Sequence, residues 1–146
     1  MTRVRFVLVC VALILTFNVV GCKKGEPVVP VSGVATYQGE PLAYCSVFFT
    51  PTNVADPNLC ITSVGLTDAE GRFKLTTTEL NARPGAVVGT HKVAFKFMQW
   101  GTEGVNDEEY PDTSDLPLLA PEYTNGSKIT FDVPPKGTDA ANFNLE

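Results

Sequence analysis

Between residues 90 and 98 apolar and polar side chains alternate one for one. Val93, Phe95 and Phe97 fall on one side, and Lys92, Ala94 and Lys96 on the other. A period of two is the side-chain period of an extended strand, so this segment presents one apolar face and one cationic face, as a half-buried strand requires. The same period returns through Phe73 and Leu75, through Ile129, Phe131 and Val133, and through Phe143 and Leu145. Cys45, Val47 and Phe49 make the inner face of an earlier strand, Val31 through Tyr37 form another, and residues 59–67, rich in Ile, Val and Thr, supply a seventh. No segment past residue 30 sustains a helical period of 3.6. Seven short strands at this spacing predict an all-β domain, a sandwich or a small barrel.

The punctuation agrees. Gln38-Gly39-Glu40-Pro41 and Asp68-Ala69-Glu70-Gly71 read as tight turns with glycine where a positive φ is needed. Pro84-Gly85 and Pro134-Pro135-Lys136-Gly137 end runs that a strand could not continue through. Asn125-Gly126-Ser127 fits an N-glycosylation pattern, but its place before residues 128–133 makes it a turn.

Residues 1–21 read differently. Arg3 and Arg5 give a basic start, and Phe6 to Phe17 is apolar apart from Thr16, too short for the roughly 20 residues that span a bilayer. That combination is a signal peptide. It ends in Val19-Val20-Gly21-Cys22, which resembles the lipobox of bacterial lipoproteins, where the cysteine is lipidated and becomes the new N-terminus. The resemblance implies two acyl chains on Cys22, an anchor that holds because each buried methylene contributes about 0.8 kcal/mol. Lys23 and Lys24 would add attraction to anionic headgroups. The expected organisation is a signal peptide over 1–21, a lipidated N-terminus and tether over 22–30, and one folded domain over 31–146. The expected location is the bacterial cell envelope, with the outer membrane or the periplasmic face favoured over the cytoplasmic membrane alone.

Of the 146 residues, 11 are basic and 16 acidic, a net charge of −5. Nucleic acid is thereby excluded as an expected partner, since phosphate-backbone affinity needs clustered Lys and Arg. Cys10 leaves with the signal peptide and Cys22 takes lipid, so Cys45 and Cys60 remain. An oxidising compartment permits a bridge between them, but a hairpin centred near residue 55 puts Cys45 opposite residue 65, on the order of 16 Å along the strand from Cys60 and beyond disulfide reach. A buried free Cys45 is the expectation and a bridge the alternative.

Several segments resemble one family. Val31-Ser32-Gly33, Gly39-Glu40-Pro41-Leu42-Ala43 and Val47-Phe48-Phe49-Thr50-Pro51 look like the opening of carboxypeptidase-regulatory-like, transthyretin-like domains. Thr67-Asp68-Ala69-Glu70-Gly71-Arg72-Phe73 matches their T-D-x-x-G-x-F segment. Pro84-Gly85 with His91-Lys92-Val93 is similar to P-G-x-Y-x-V, with histidine in place of tyrosine. Small lipoproteins of this kind often finish with a segment like Pro121-Glu122-Tyr123, a strand, and Asn142-Phe143-Asn144-Leu145. The resemblance covers nearly all of 28–146 and implies a seven-stranded Greek-key β-sandwich. It rests on turn chemistry, so it speaks to fold and leaves activity open.

Catalysis is not expected, nor is any cofactor. Asp68-Ala69-Glu70-Gly71 is not a calcium loop, because the sixth residue after Gly71 is Thr77 where an EF-hand needs glutamate. The single histidine, His91, shares the apolar face of its strand and is expected to pack at one end of the core on a backbone partner. One histidine cannot build a two-His, one-Glu zinc site. Nor does the chain carry the other histidines or the Tyr-Arg-Gly-Ser terminus of the related hydroxyisourate hydrolase, and its first strand, 28–37, has no lysine for an isopeptide staple.

The segment 99–120 is the least family-like. It holds Trp100 and Tyr110 with six acids and no base. Asp107, Glu108, Asp112 and Asp115 are weak calcium candidates, since calcium takes six to eight oxygens from flexible loops. Trp100 and Tyr110 could stack on sugar rings or anchor a protein interface. The expected function is a lipid-anchored, non-catalytic envelope module that binds or scaffolds an envelope protein or polysaccharide. The alternative is a carbohydrate-binding accessory module using Trp100 and Tyr110.

Overall fold

A computed structural model describes residues 27–52, 60–97, 116–126 and 128–146. Within them the chain forms β1 (Val28–Val29), β2 (Ser32–Tyr37), β3 (Glu40–Pro41), β4 (Ser46–Pro51), β5 (Ser63–Leu66) and β6 (Arg72–Lys74). It continues through β7 (Thr76–Thr77), β8 (Ala86–Val87), β9 (Gly89–Lys96), the one-turn helix α1 (Pro121–Thr124), β10 (Ile129–Val133) and β11 (Phe143–Leu145). The fold is all-β. One sheet has the order β10-β9-β4-β5-β7, antiparallel throughout. In the other, β2 carries parallel β11 on one side and antiparallel β3 and β6 on the opposite side, while β1 and β8 make a separate ribbon.

Each of the seven segments chosen by period contains a strand. The two-residue strands β1, β3, β7 and β8 are additions, and two residues are too few to display a period. Val28 and Val29 lie in the segment read as tether, yet they pair with Val87 and Ala86. The β4–β5 hairpin also needs a correction. Ser46 faces Leu66 and Val47 faces Gly65, so Cys45 lies opposite Thr67 rather than residue 65. A shift of two residues keeps every side chain on its expected face, which is why the core survives the error. Cys45 and Cys60 are both free thiols.

The turns form for the reasons their residues suggest. Gln38 and Gly39, at φ +52° and +86°, make a two-residue connection whose positive φ values match the twist of a hairpin. Gly71, at φ +73°, sits where a Cβ would come within 2.3 Å of the Ala35 carbonyl oxygen. Only glycine fits there.

The inner faces meet around Phe49, which is fully buried. Its ring centroid lies 5.7 Å from that of Phe131 in its own sheet, and 6.5 and 6.0 Å from those of Phe73 and Phe143 in the other. Phe95 reaches Phe143 at 5.4 Å, edge to face. These tilted and edge-on contacts, rather than flat stacks, are what the ring quadrupole favours. They lock the two sheets together in a sandwich-like arrangement. Tyr123 in α1 closes one end: its hydroxyl donates to the Glu146 carbonyl at 3.2 Å and accepts from the Glu146 amide at 3.3 Å. Lys128 donates to the same hydroxyl at 3.2 Å and pairs with Glu122 at 3.0 Å.

Candidate functional site

The corner where the chain passes from β5 to β6 is fixed by Asp68. Its Oδ1 accepts from the backbone amides of Glu70 and Arg72 at 3.0 and 2.8 Å, and its Oδ2 accepts from Arg72 Nε at 3.0 Å. The Arg72 backbone amide, more than any other contact, holds the Asp68 carboxyl below its ordinary value. Arg72 also reaches Glu70 at 2.7 Å, so its guanidinium is clamped between two carboxylates.

Phe73 points into the core, so Arg72 and Lys74 point out. Register places Val34 opposite Arg72 and Ser32 opposite Lys74. Along the other side of β2 runs the segment leading to β11, held by Ser32 N–H to the Thr138 carbonyl at 2.9 Å and by Ala141 N–H to the Ser32 carbonyl at 3.1 Å. Gly33 permits this approach: a Cβ there would sit 2.0 Å from the Ala141 oxygen. Asp139 projects from this segment.

These elements line an open groove of about 650 Å³, with Leu66 as its apolar wall. Its charged lining is two cations, Arg72 and Lys74, and two anions, Asp68 and Asp139. Lys74 and Asp139 carry no ion pair among the described residues. In the turn before β4, the Tyr44 backbone N–H donates to the carbonyl of the buried Thr67 at 3.1 Å. The tyrosine is 41% exposed and holds φ +55°, in the left-handed region. Leu66 is 46% exposed.

The groove offers fixed hydrogen-bond donors and acceptors rather than reactive groups. Ser32 and Lys74 are register partners, but Lys74 is exposed and lacks the burial on which a catalytic lysine depends. His91 lies elsewhere, fully buried, with its ring 5.7 Å from that of Phe49 and Nδ1 2.9 Å from the Gly89 carbonyl. A carbonyl only accepts, so Nδ1 carries the proton. The expectation of a core histidine on a backbone partner therefore holds. Burial pushes the Cys45 thiol up to about 12, against a smaller opposing pull from the Lys96 backbone, which keeps it protonated and unreactive. The Asp68 loop is a turn, as expected, and no cluster of metal-ligating side chains occurs among the described residues.

Cys22 with Val19, Val20 and Gly21, the aromatics Trp100 and Tyr110, and the acids Asp107, Glu108, Asp112 and Asp115 all lie outside the described residues. Strand parity does not single out Tyr44, which lies in the turn before β4 at φ +55°. Lys74 and Asp139 could not have been paired, because β2 brings them together from positions 65 residues apart in the chain. Comparison with protein-family models, with curated proteins and with solved structures returned no match.

Proposed function

We propose that the chain is an exported, lipid-anchored module of the bacterial cell envelope. In this reading it is a transthyretin-like Greek-key sandwich of seven principal strands that binds or scaffolds an envelope component and catalyses nothing. The observation that carries it is the groove over β2 and β6. Its polar groups stand on paired strands and on a clamped turn, so a ligand would meet a preorganised surface and would order little on binding. The leader ending in Val19-Val20-Gly21-Cys22 supports the anchor, and the burial of His91 and Cys45 supports a role without catalysis.

Two measurements test the two halves of this reading. For the anchor, the full chain is expressed in a bacterium with labelled palmitate. Label and partition into detergent are expected for the wild type and lost in Cys22→Ala; label that survives the substitution overturns lipidation at this residue. For the surface, the detergent-solubilised protein is passed over isolated envelope. Retention is expected to fall in Val34→Arg, which obstructs the groove. It should persist in Thr130→Arg, on the outer face of the other sheet. Equal retention of both variants overturns the groove as the binding surface.

A further inference from the structure

We propose that the chain pairs with a second copy of itself through the free edge of β10, in one antiparallel register that sets Phe131 opposite its counterpart. This goes beyond the function above and depends on neither its anchor nor its groove.

Among the described residues β10 is the longest edge strand. It has five residues and pairs with β9 on one side alone. The opposite edge of that sheet, β7, has two residues, and the chain folds back over it. Thr76 bridges Pro84, and the Thr77 amide donates to the Arg83 carbonyl at 2.9 Å. The outer strands of the other sheet, β3, β6 and β11, have two or three residues each. Edges are commonly blunted by shortness, lysine, proline or a bulge. Between Ile129 and Val133 there is no lysine or proline, and the pairing with β9 runs unbroken. The single charge, Asp132, accepts from Thr90 Oγ1 at 3.1 Å and is held against its own sheet.

Backbone direction decides which groups face outward. The Thr52 amide donates to the Thr90 carbonyl at 2.9 Å, so Thr90 points from β9 toward β4, and by alternation His91 and Val93 point toward β10. Their register partners Phe131 and Ile129 therefore bond to β9, while Thr130 and Asp132 direct their N–H and C=O groups away from it. This free run stops at both ends. Before it, the Lys128 amide donates to the Glu122 carbonyl at 3.4 Å. After it, Pro134 has no N–H, and its carbonyl accepts from the Gly137 amide at 2.9 Å.

An antiparallel copy satisfies both free residues in one way. With Phe131 on the two-fold axis, Thr130 of each chain faces Asp132 of the other, and each such pair exchanges two hydrogen bonds. A register centred on Thr130 would need the Lys128 amide, which is already used. One centred on Asp132 would set two carboxylates opposite each other and pair Thr130 with Pro134, which cannot donate. The side chains agree with the allowed register. Thr130 and Asp132, both exposed, meet hydroxyl to carboxylate on the outer face. On the inner face Ile129 meets Val133, and the two half-buried Phe131 rings meet in the non-bonded pair, where side chains come closest. An edge whose free groups, charges and rings are complementary to themselves fits a second copy.

The test is disulfide trapping in intact bacteria that co-express two full-length variants with different tags, both carrying Cys60→Ser. One adds Thr130→Cys and the other Asp132→Cys. In the proposed register these two positions stand about 5.5 Å apart at Cα, within bridge reach, whereas like positions stand about 9 Å apart. A mild oxidant is expected to give the mixed dimer, with no more of either homodimer than the Cys60→Ser parent forms. The full wild-type chain, in nonionic detergent with micelles in excess, should sediment as a dimer. Thr130→Asp sets carboxylates opposite each other at both pairs and should weaken association about tenfold. The exchange Thr130→Asp/Asp132→Thr separates them again and should restore it, and each variant should melt as a single transition. Homodimers as abundant as the mixed dimer overturn the proposal, as does the absence of any bridge. So does a Thr130→Asp chain that associates like the wild type, or an exchanged chain that stays as weak as Thr130→Asp. A bridge from either cysteine to a different protein, in place of the mixed dimer, rejects the second copy and gives the edge to that protein.

Discussion

The left-handed backbone at Tyr44 costs a non-glycine residue about 1–2 kcal/mol. Asparagine enters the left-handed region more readily than tyrosine, so Tyr44→Asn is expected to melt at or above the wild-type temperature. A clear drop in melting temperature would show that the ring is held for packing. Cys45 and Cys60 separate in a similar way. Cys45 is fully buried with its thiol pushed up to about 12, whereas Cys60 is only partly covered. In native protein a thiol reagent should modify Cys60 and leave Cys45 intact until the chain unfolds. The raised thiol also sets an alkaline limit. Above about pH 9 the unfolded chain releases this proton and the folded one does not, so stability falls by about 1.4 kcal/mol per pH unit up to the folded value. Cys45→Ala should flatten that slope in melts between pH 9 and 11.

The β5–β6 connection shows how far an element can be read from its residues. Asp68-Ala69-Glu70-Gly71 announces a turn, and the turn is there, because its requirements are local: an acceptor for two amides and a glycine at positive φ. Local rules likewise placed the buried faces of β4, β6 and β9. What stayed hidden depends on partners distant in sequence. The two-residue strands exist only through pairing. The register of the β4–β5 hairpin is set by a loop whose conformation alternation does not specify. The groove arises because Gly33 lets the segment before β11 close over β2. Tyr44 is quiet in sequence and stands out only by its backbone angle.

Two variants probe the same connection. Gly71→Ala puts a Cβ against the Ala35 oxygen at φ +73° and is expected to destabilise by about 1–3 kcal/mol in denaturant melts. Asp68→Asn tests the carboxylate. A carboxyl held below its unfolded value stabilises fully above about pH 4 and less as pH falls through the folded value. Acidification below about pH 4 should therefore lower the melting temperature of the wild type more steeply than that of Asp68→Asn.

At the scale of the whole molecule the question is whether the two sheets fold as one unit. The second sheet is small, and its strands β3, β6 and β11 have two or three residues each, too little to stand alone. Its stability must come from the aromatic contacts that cross between the sheets. From the five-stranded sheet Phe49 reaches both Phe73 and Phe143, while Phe95 and Phe131 each reach Phe143 alone. Phe49→Leu should cost about 1–1.5 kcal/mol, because volume is nearly kept. Phe49→Ala should cost about 3–5 kcal/mol, since the cavity would open between the layers where neither sheet can collapse into it. The decisive readout is hydrogen exchange. If the sheets unfold together, the slowest amides of β2 and β9 lose protection by the same factor in Phe49→Leu. A loss confined to β4 and β9 would mean that the smaller sheet has its own stability. The groove over β2 would then be able to open and close independently of the core beneath it.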